Sequence, residues 1–184
     1  ILSASDPQSP GYDPQSVEYQ QFQPVLAALS TMGPEAIDAA SVIAKAISSP
    51  RPEVKLAADA LITLGTEIAT TTLPILVDDL SSAYPKSRLY ALIVLGSIGE
   101  RASCAVGSIG GLLQDPDPAV RFYAAAALQQ ITRTALLPES VGDFLTGEYK
   151  LDNPEGVYTQ RARDWWTNEG SKINWRPSYG LCDA

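Results

Sequence analysis

The chain has 184 residues, 45% hydrophobic and 18% charged, enough apolar material for one packed domain and too much for disorder throughout. Its 21 acidic and 13 basic residues leave a net charge of -8, and the basic residues arrive singly or in loose pairs, so a phosphate backbone finds no basic face. There is no histidine, which removes the commonest general base, the Ser-His and Cys-His nucleophiles and most zinc sites.

Residues 1–16, with Pro7, Pro10 and Pro14 in a polar setting, read as an extended arm that loses little further entropy when it docks along a neighbour. A start at Ile1 fits a mature form left by signal-peptide removal and fits a trimmed chain equally well. No stretch reaches the roughly 18 uninterrupted apolar residues of a bilayer span, so no transmembrane segment is expected.

From residue 17 a helical pattern repeats. EVKLAADALITLG from 53, SRLYALIVLGSIG from 87 and AVRFYAAAALQQIT from 119 align by their Leu-x-x-(Leu/Ile) endings. Leu61, Leu95 and Leu128 then share one column, Leu64, Ile98 and Ile131 a second, and Ala57, Ala91 and Ala124 a third, all three columns stepping along the chain by the same period. QFQPVLAALSTMG from 21 supplies an earlier copy ending at Gly33. Each copy is followed by a second helical stretch: PEAIDAASVIAKAIS from 34, EIATTTLPILVDDLSS from 67, ERASCAVGSIGGLLQD from 100 and a degraded TALLPESVGDFL from 134. Gly33, Gly65 and Gly99 mark first-helix ends, and SSPRPE, AYPKS and QDPDP read as turns between units. Gly107, Gly110 and Gly111 are expected to let helices approach closely. The fold class is therefore all-α: a solenoid of about four helix pairs, with units near 17–50, 51–84, 85–117 and 118–146.

These units resemble HEAT repeats, in particular the short bacterial form of proteins related to phycobilisome lyases. The pattern runs from an acid or turn through Val-Arg to Ala-Ala-x-Ala-Leu-x-x-Ile-Gly. The fourth unit carries it as Asp117, Val120, Arg121, Ala124, Ala127, Leu128 and Ile131, with Thr132 in place of the glycine. The second unit has Lys55 one place along, the third has Arg88 ahead of Leu89, and the first has Phe22 and Gln23 at the basic position, which suits an N-terminal cap. The resemblance covers about residues 17–146. It implies a right-handed α-solenoid that binds proteins, with Arg88 and Arg121 in a structural ladder with acids of adjacent turns, Asp117 among them. By analogy it also raises a bilin lyase or pigment chaperone; Tyr90 and Tyr123 share a column, but on first helices.

The second helices are expected to line the concave face. There Glu35, Asp38, Thr70, Thr71, Asp78, Ser103 and Ser108 form a mildly acidic, hydroxyl-rich surface for a basic or neutral protein segment. Asp78 and Asp79 project about 100° apart on a helix and read as a solvated face, not a catalytic pair. Residues 147–184 leave the repeat pattern and hold a helix with Trp165 and Trp166, which either caps the last apolar face or presents an aromatic patch; Trp175 and Tyr179 are the candidates for contact with a partner. Cys104 and Cys182 lie too far apart for a CxxC motif. Their pairing would fasten the tail and imply an oxidising compartment; the alternative is two unrelated thiols. The expected function is a non-enzymatic interaction or scaffold module, an accessory subunit of an extracytoplasmic (periplasmic, secreted or cell-surface) assembly, with protein partners, no nucleic acid, no metal and no cofactor.

Overall fold

The computed structural model describes Pro24, Ala28 and residues 39–48, 54–137 and 157–175. Every described element is helical: α1 (Ala40–Ile47), α2 (Val54–Leu64), α3 (Ala69–Asp79), α4 (Pro85–Ile98), α5 (Val106–Gly111), α6 (Pro118–Thr132) and α7 (Val157–Asn168), with 3-10 turns at Thr66–Ile68, Gly99–Ala105, Leu112–Gln114 and Gly170–Lys172. The arm through residue 16 and the first-helix copy around Gly33 lie outside the described residues.

Local chemistry sets the helix ends. Pro85 opens α4 at a position where its missing N–H costs nothing, and Gly99, at φ 68°, closes it. Asp117 caps α6 by accepting from the Ala119 and Val120 amides at 2.8 and 3.2 Å. Because Thr132 stands in the glycine column, α6 continues through it and the left-handed residue becomes Arg133, at φ 56° and ψ 22°. A side chain there is strained by on the order of 1 kcal/mol. The second-helix stretch from residue 100 is the most broken: a 3-10 segment with non-helical Ala102 precedes the short α5, which holds Gly107, Gly110 and Gly111.

Two stacked rows carry the core. The first helices α2, α4 and α6 pack in succession, and Ala57, Ala91, Ala124, Leu61, Leu95 and Leu128 are all fully buried. The small column brings backbones together and the leucine column fills the seam, each leucine contributing about 1.5–3 kcal/mol by burial. The second helices add three columns at the same period: Ala40, Leu73 and Val106; Ile43, Leu76 and Ile109; Ile47, Leu80 and Leu113, every one buried. The run Pro85–Gln114 is long and apolar enough to cross a membrane by composition, yet it is broken after α4, and Ala91–Gly96 are buried among neighbouring helices. Core packing accounts for its hydropathy.

Arg88 meets an acid other than the one expected. Arg88 Nε and Nη2 each donate to Asp115 at 2.8 Å, and Nη1 donates to the Ser82 carbonyl at 2.7 Å. Both side chains are nearly buried, at 10% and 4% exposure. Asp117, expected as an acceptor, is occupied with the α6 amides. Asp115 is the acid that faces α4, and its Oδ1 also accepts from the Asp117 amide at 2.8 Å. Arg121 repeats part of the Arg88 geometry one unit on, donating to the Asp115 carbonyl at 2.6 Å as Arg88 does to Ser82. The preceding unit has Val54 at the arginine position and Ser82 at the acid position, so arginine and acid are lost together.

Helix α7 lies against α6 and the Leu112–Gln114 turn, with Thr159 and Ala162 fully buried. Of the three glycines expected to permit close packing, Gly110 does so: a β-carbon there would fall inside the Trp166 indole. Gly107 and Gly111 face open space. Trp165 packs on Trp166 and Trp175 with ring centroids 6.2 and 6.1 Å apart.

Asp115→Ala leaves a buried guanidinium unpaired and is expected to cost about 3–5 kcal/mol in denaturant unfolding, whereas Arg88→Met with Asp115→Leu costs clearly less. Gly110→Ala displaces the Trp166 ring at about 1–3 kcal/mol, read as lower stability with red-shifted tryptophan emission.

Candidate functional site

Among the described residues two surfaces bear on function. The first is the solvent side of the second helices. Thr70, Thr71, Pro74 and Asp78 are exposed along α3, and Ser108 is exposed on α5 beside Gly107 and Gly111. Ser103 is half-buried in the 3-10 segment, and Thr71 Oγ1 donates to the Ile68 carbonyl at 3.1 Å. These residues make an exposed face of small and polar side chains. Glu35 and Asp38 lie outside the described residues.

The second surface was not read from the sequence. A cavity of about 330 Å³ opens at the C-terminal ends of α4 and α6, lined in part by Gly96, Ser97, Glu100, Arg101, Gln130 and Arg133. Arg101 Nη1 donates to Glu67 at 3.2 Å and to the Thr66 carbonyl at 3.3 Å, and Arg133 Nε donates to Glu100 at 3.0 Å. The two ion pairs each join equivalent turns of successive units, so they recur at the repeat period itself. A comparison of charges across aligned units would have exposed this second ladder. Both pairs are exposed and contribute about 0–1 kcal/mol each.

Asp79 corrects the expected solvated pair. Asp78 is exposed, but Asp79 is buried, with Oδ2 lacking a hydrogen-bond partner among the described residues. Burial pushes its carboxyl up to about 6, opposed by a hydrogen bond with Ser48 and reinforced by the Asp78 charge. The position follows from helical geometry: residues 72, 73, 76, 79 and 80 form the packed side of α3, so Asp79 falls on the core side and Asp78 beside it does not.

The remaining candidates separate. Trp175 is half-buried, and its indole Nε1 donates to the Gly170 carbonyl at 2.7 Å, so the ring belongs to the packed α7 end. Tyr179 and Cys182 lie outside the described residues. Cys104 is half-buried against the core, and no free thiol occurs among the described residues. Tyr90 and Tyr123 have phenols raised by burial, Tyr123 packs edge-on against Phe122, and neither lines the cavity, which gives the pigment alternative no support. Among the described residues no group of three or more Cys, Asp or Glu side chains is placed to share a metal ion.

This architecture of paired helices in register defines a helical-repeat protein. Residues 106–135 match the HEAT repeat family, which supports reading the chain as a HEAT-repeat protein. The match runs from α5 through α6, so the family's frame joins a second helix to the first helix that follows and crosses the unit boundary placed near 117. No curated protein and no solved structure matches the chain. HEAT repeats generally mediate protein–protein interaction and usually serve as non-enzymatic scaffolds.

The raised Asp79 carboxyl makes stability depend on pH. Between about pH 4 and 6 the unfolded carboxyl ionises while the folded one stays protonated, so stability falls as pH rises through this window. Asp79→Asn is expected to flatten that fall and to be more stable than the parent at about pH 7.5 by on the order of 2 kcal/mol, measured by urea unfolding across the range.

Proposed function

We propose that this chain is a non-enzymatic protein-interaction scaffold, an accessory subunit of a larger extracytoplasmic or cell-surface assembly. The observation that carries the reading is the solvent face of α3 and α5: Thr70, Pro74, Asp78, Gly107 and Ser108 are exposed and small or polar, and Pro74 and Gly107 hold equivalent places in successive units. A surface of this kind accepts a partner over its length with little side-chain ordering cost. In this reading the units form a right-handed array of about four pairs, and the second-helix side is concave. Its exposed carboxylate at Asp78 favours a basic or neutral segment.

The extracytoplasmic part of the proposal rests on Cys104. Pairing with Cys182, the only other cysteine in the chain, ties the tail to the α4–α5 connection and requires an oxidising compartment. The half-buried setting of Cys104 and the lack of a free thiol among the described residues support it.

The test joins purification with a face variant. Recovered from its native source, the parent chain is expected to carry a stoichiometric protein partner and a non-reduced mass lower by two hydrogens than the reduced one. Thr70→Arg with Asp78→Arg and Ser108→Arg is expected to lose about nine-tenths of that partner while keeping its helicity and melting temperature. Undiminished recovery by the folded variant would overturn the proposed face, and a free-thiol mass would overturn the compartment.

A further inference from the structure

The cavity between the ends of α4 and α6 has a chemistry opposite to that of the second-helix face. Its two guanidiniums are only partly used: Arg101 spends Nη1 on Glu67 and Thr66, and Arg133 spends Nε on Glu100, so each keeps N–H donors for a ligand. Gln130, half-buried in the wall, has a side-chain amide with no partner among the described residues. Ser97 Oγ donates to the Val94 carbonyl at 2.7 Å and so turns its lone pairs outward. The strained conformation of Arg133 places a guanidinium at the turn where glycine ends α4.

The geometry points to a binding site for an acidic side chain of a partner protein, presented together with its backbone amide, between the ends of successive repeats. The proposal rests on the scaffold reading above and deepens it. A carboxylate matches the planar edges left open on the guanidiniums and takes a further donor from Gln130. The Glu100 carboxylate and the carbonyl end of α4 oppose a doubly charged phosphate, while a monoanion with a neighbouring N–H satisfies both kinds of wall: its carboxylate meets Arg101, Arg133 and Gln130, and its N–H meets Ser97. The existing acid partners are exposed and weakly held, so a ligand carboxylate replaces Glu100 or Glu67 at small cost. The chain thus offers two faces of opposite preference, the second-helix side for basic or neutral segments and this cavity for an acidic one.

The test uses the full chain and three probes: N-acetyl-Ala-Glu-Ala-amide, its Ala-Gln-Ala counterpart and sodium butyrate, a monoanion without the amide, titrated by NMR with observation of the Gln130 amide and the arginine Nε–H signals. The Glu peptide is expected to shift these signals saturably, and the Gln peptide to leave them unmoved. Gln130→Ala with Arg101→Met is expected to bind the Glu peptide about tenfold more weakly with an unchanged fold. Butyrate matching the peptide would assign the cavity to free carboxylates and overturn the protein-segment proposal. No saturable shift, or a shift that survives in the double variant, would overturn the site. Neither result touches the partner recovery that tests the scaffold reading, so the two fail separately.

Discussion

The seam between successive first helices is the constraint on which the rest of this fold depends. A single helix pair cannot remove both apolar faces from water, and the alanine column at 57, 91 and 124 lets the next pair approach closely enough for Leu61, Leu95 and Leu128 to fill the gap. With that contact made at one period, the other elements fall at the same period. The second-helix columns, the arginines at 88 and 121 that each close on a turn carbonyl, and the Glu67–Arg101 and Glu100–Arg133 pairs all follow the spacing of the seam.

The charged groups divide by depth. Arg88 and Asp115 sit where water is excluded and meet in a two-bond fork, with the third side of the guanidinium closed by the Ser82 carbonyl. That geometry allows a buried ion pair to hold the turn before α6 against the start of α4. At the opposite helix ends, the ion pairs are exposed and single-contact, and their value lies in availability to a ligand. The array therefore carries a buried ion pair on one edge and two exposed, adaptable ones on the other. The cavity occupies the adaptable edge.

The second helix of the third unit departs from the others where it meets α7. Three glycines shorten α5, and the Trp166 ring takes the space that a side chain at Gly110 would fill. The helix broken by glycines is thus the one against which the Trp166 ring of α7 packs. Trp175 is drawn into the same packing by its bond to the Gly170 carbonyl.

The sequence by itself determined the helical class, the repeat period, the first-helix core columns and the presence of arginines at a ladder position, because spacing and side-chain size are properties of the chain alone. It also singled out Trp165 and Trp166, as either a cap or an aromatic patch, and the packing of Trp166 on Gly110 is a tertiary fact. Only the tertiary structure decided which acid meets Arg88. Asp115 and Asp117 lie in the same turn, and the choice rests on which one faces α4 and which one caps α6. Burial of Asp79 beside an exposed Asp78 likewise depends on where the next helix lies, and the cavity depends on the approach of two helix ends, at Ile98 and Thr132, that belong to successive units. Periodicity names the residues that face inward, but distances between turns of different units exist only after packing, and the chemistry of this protein's surfaces is set by those distances.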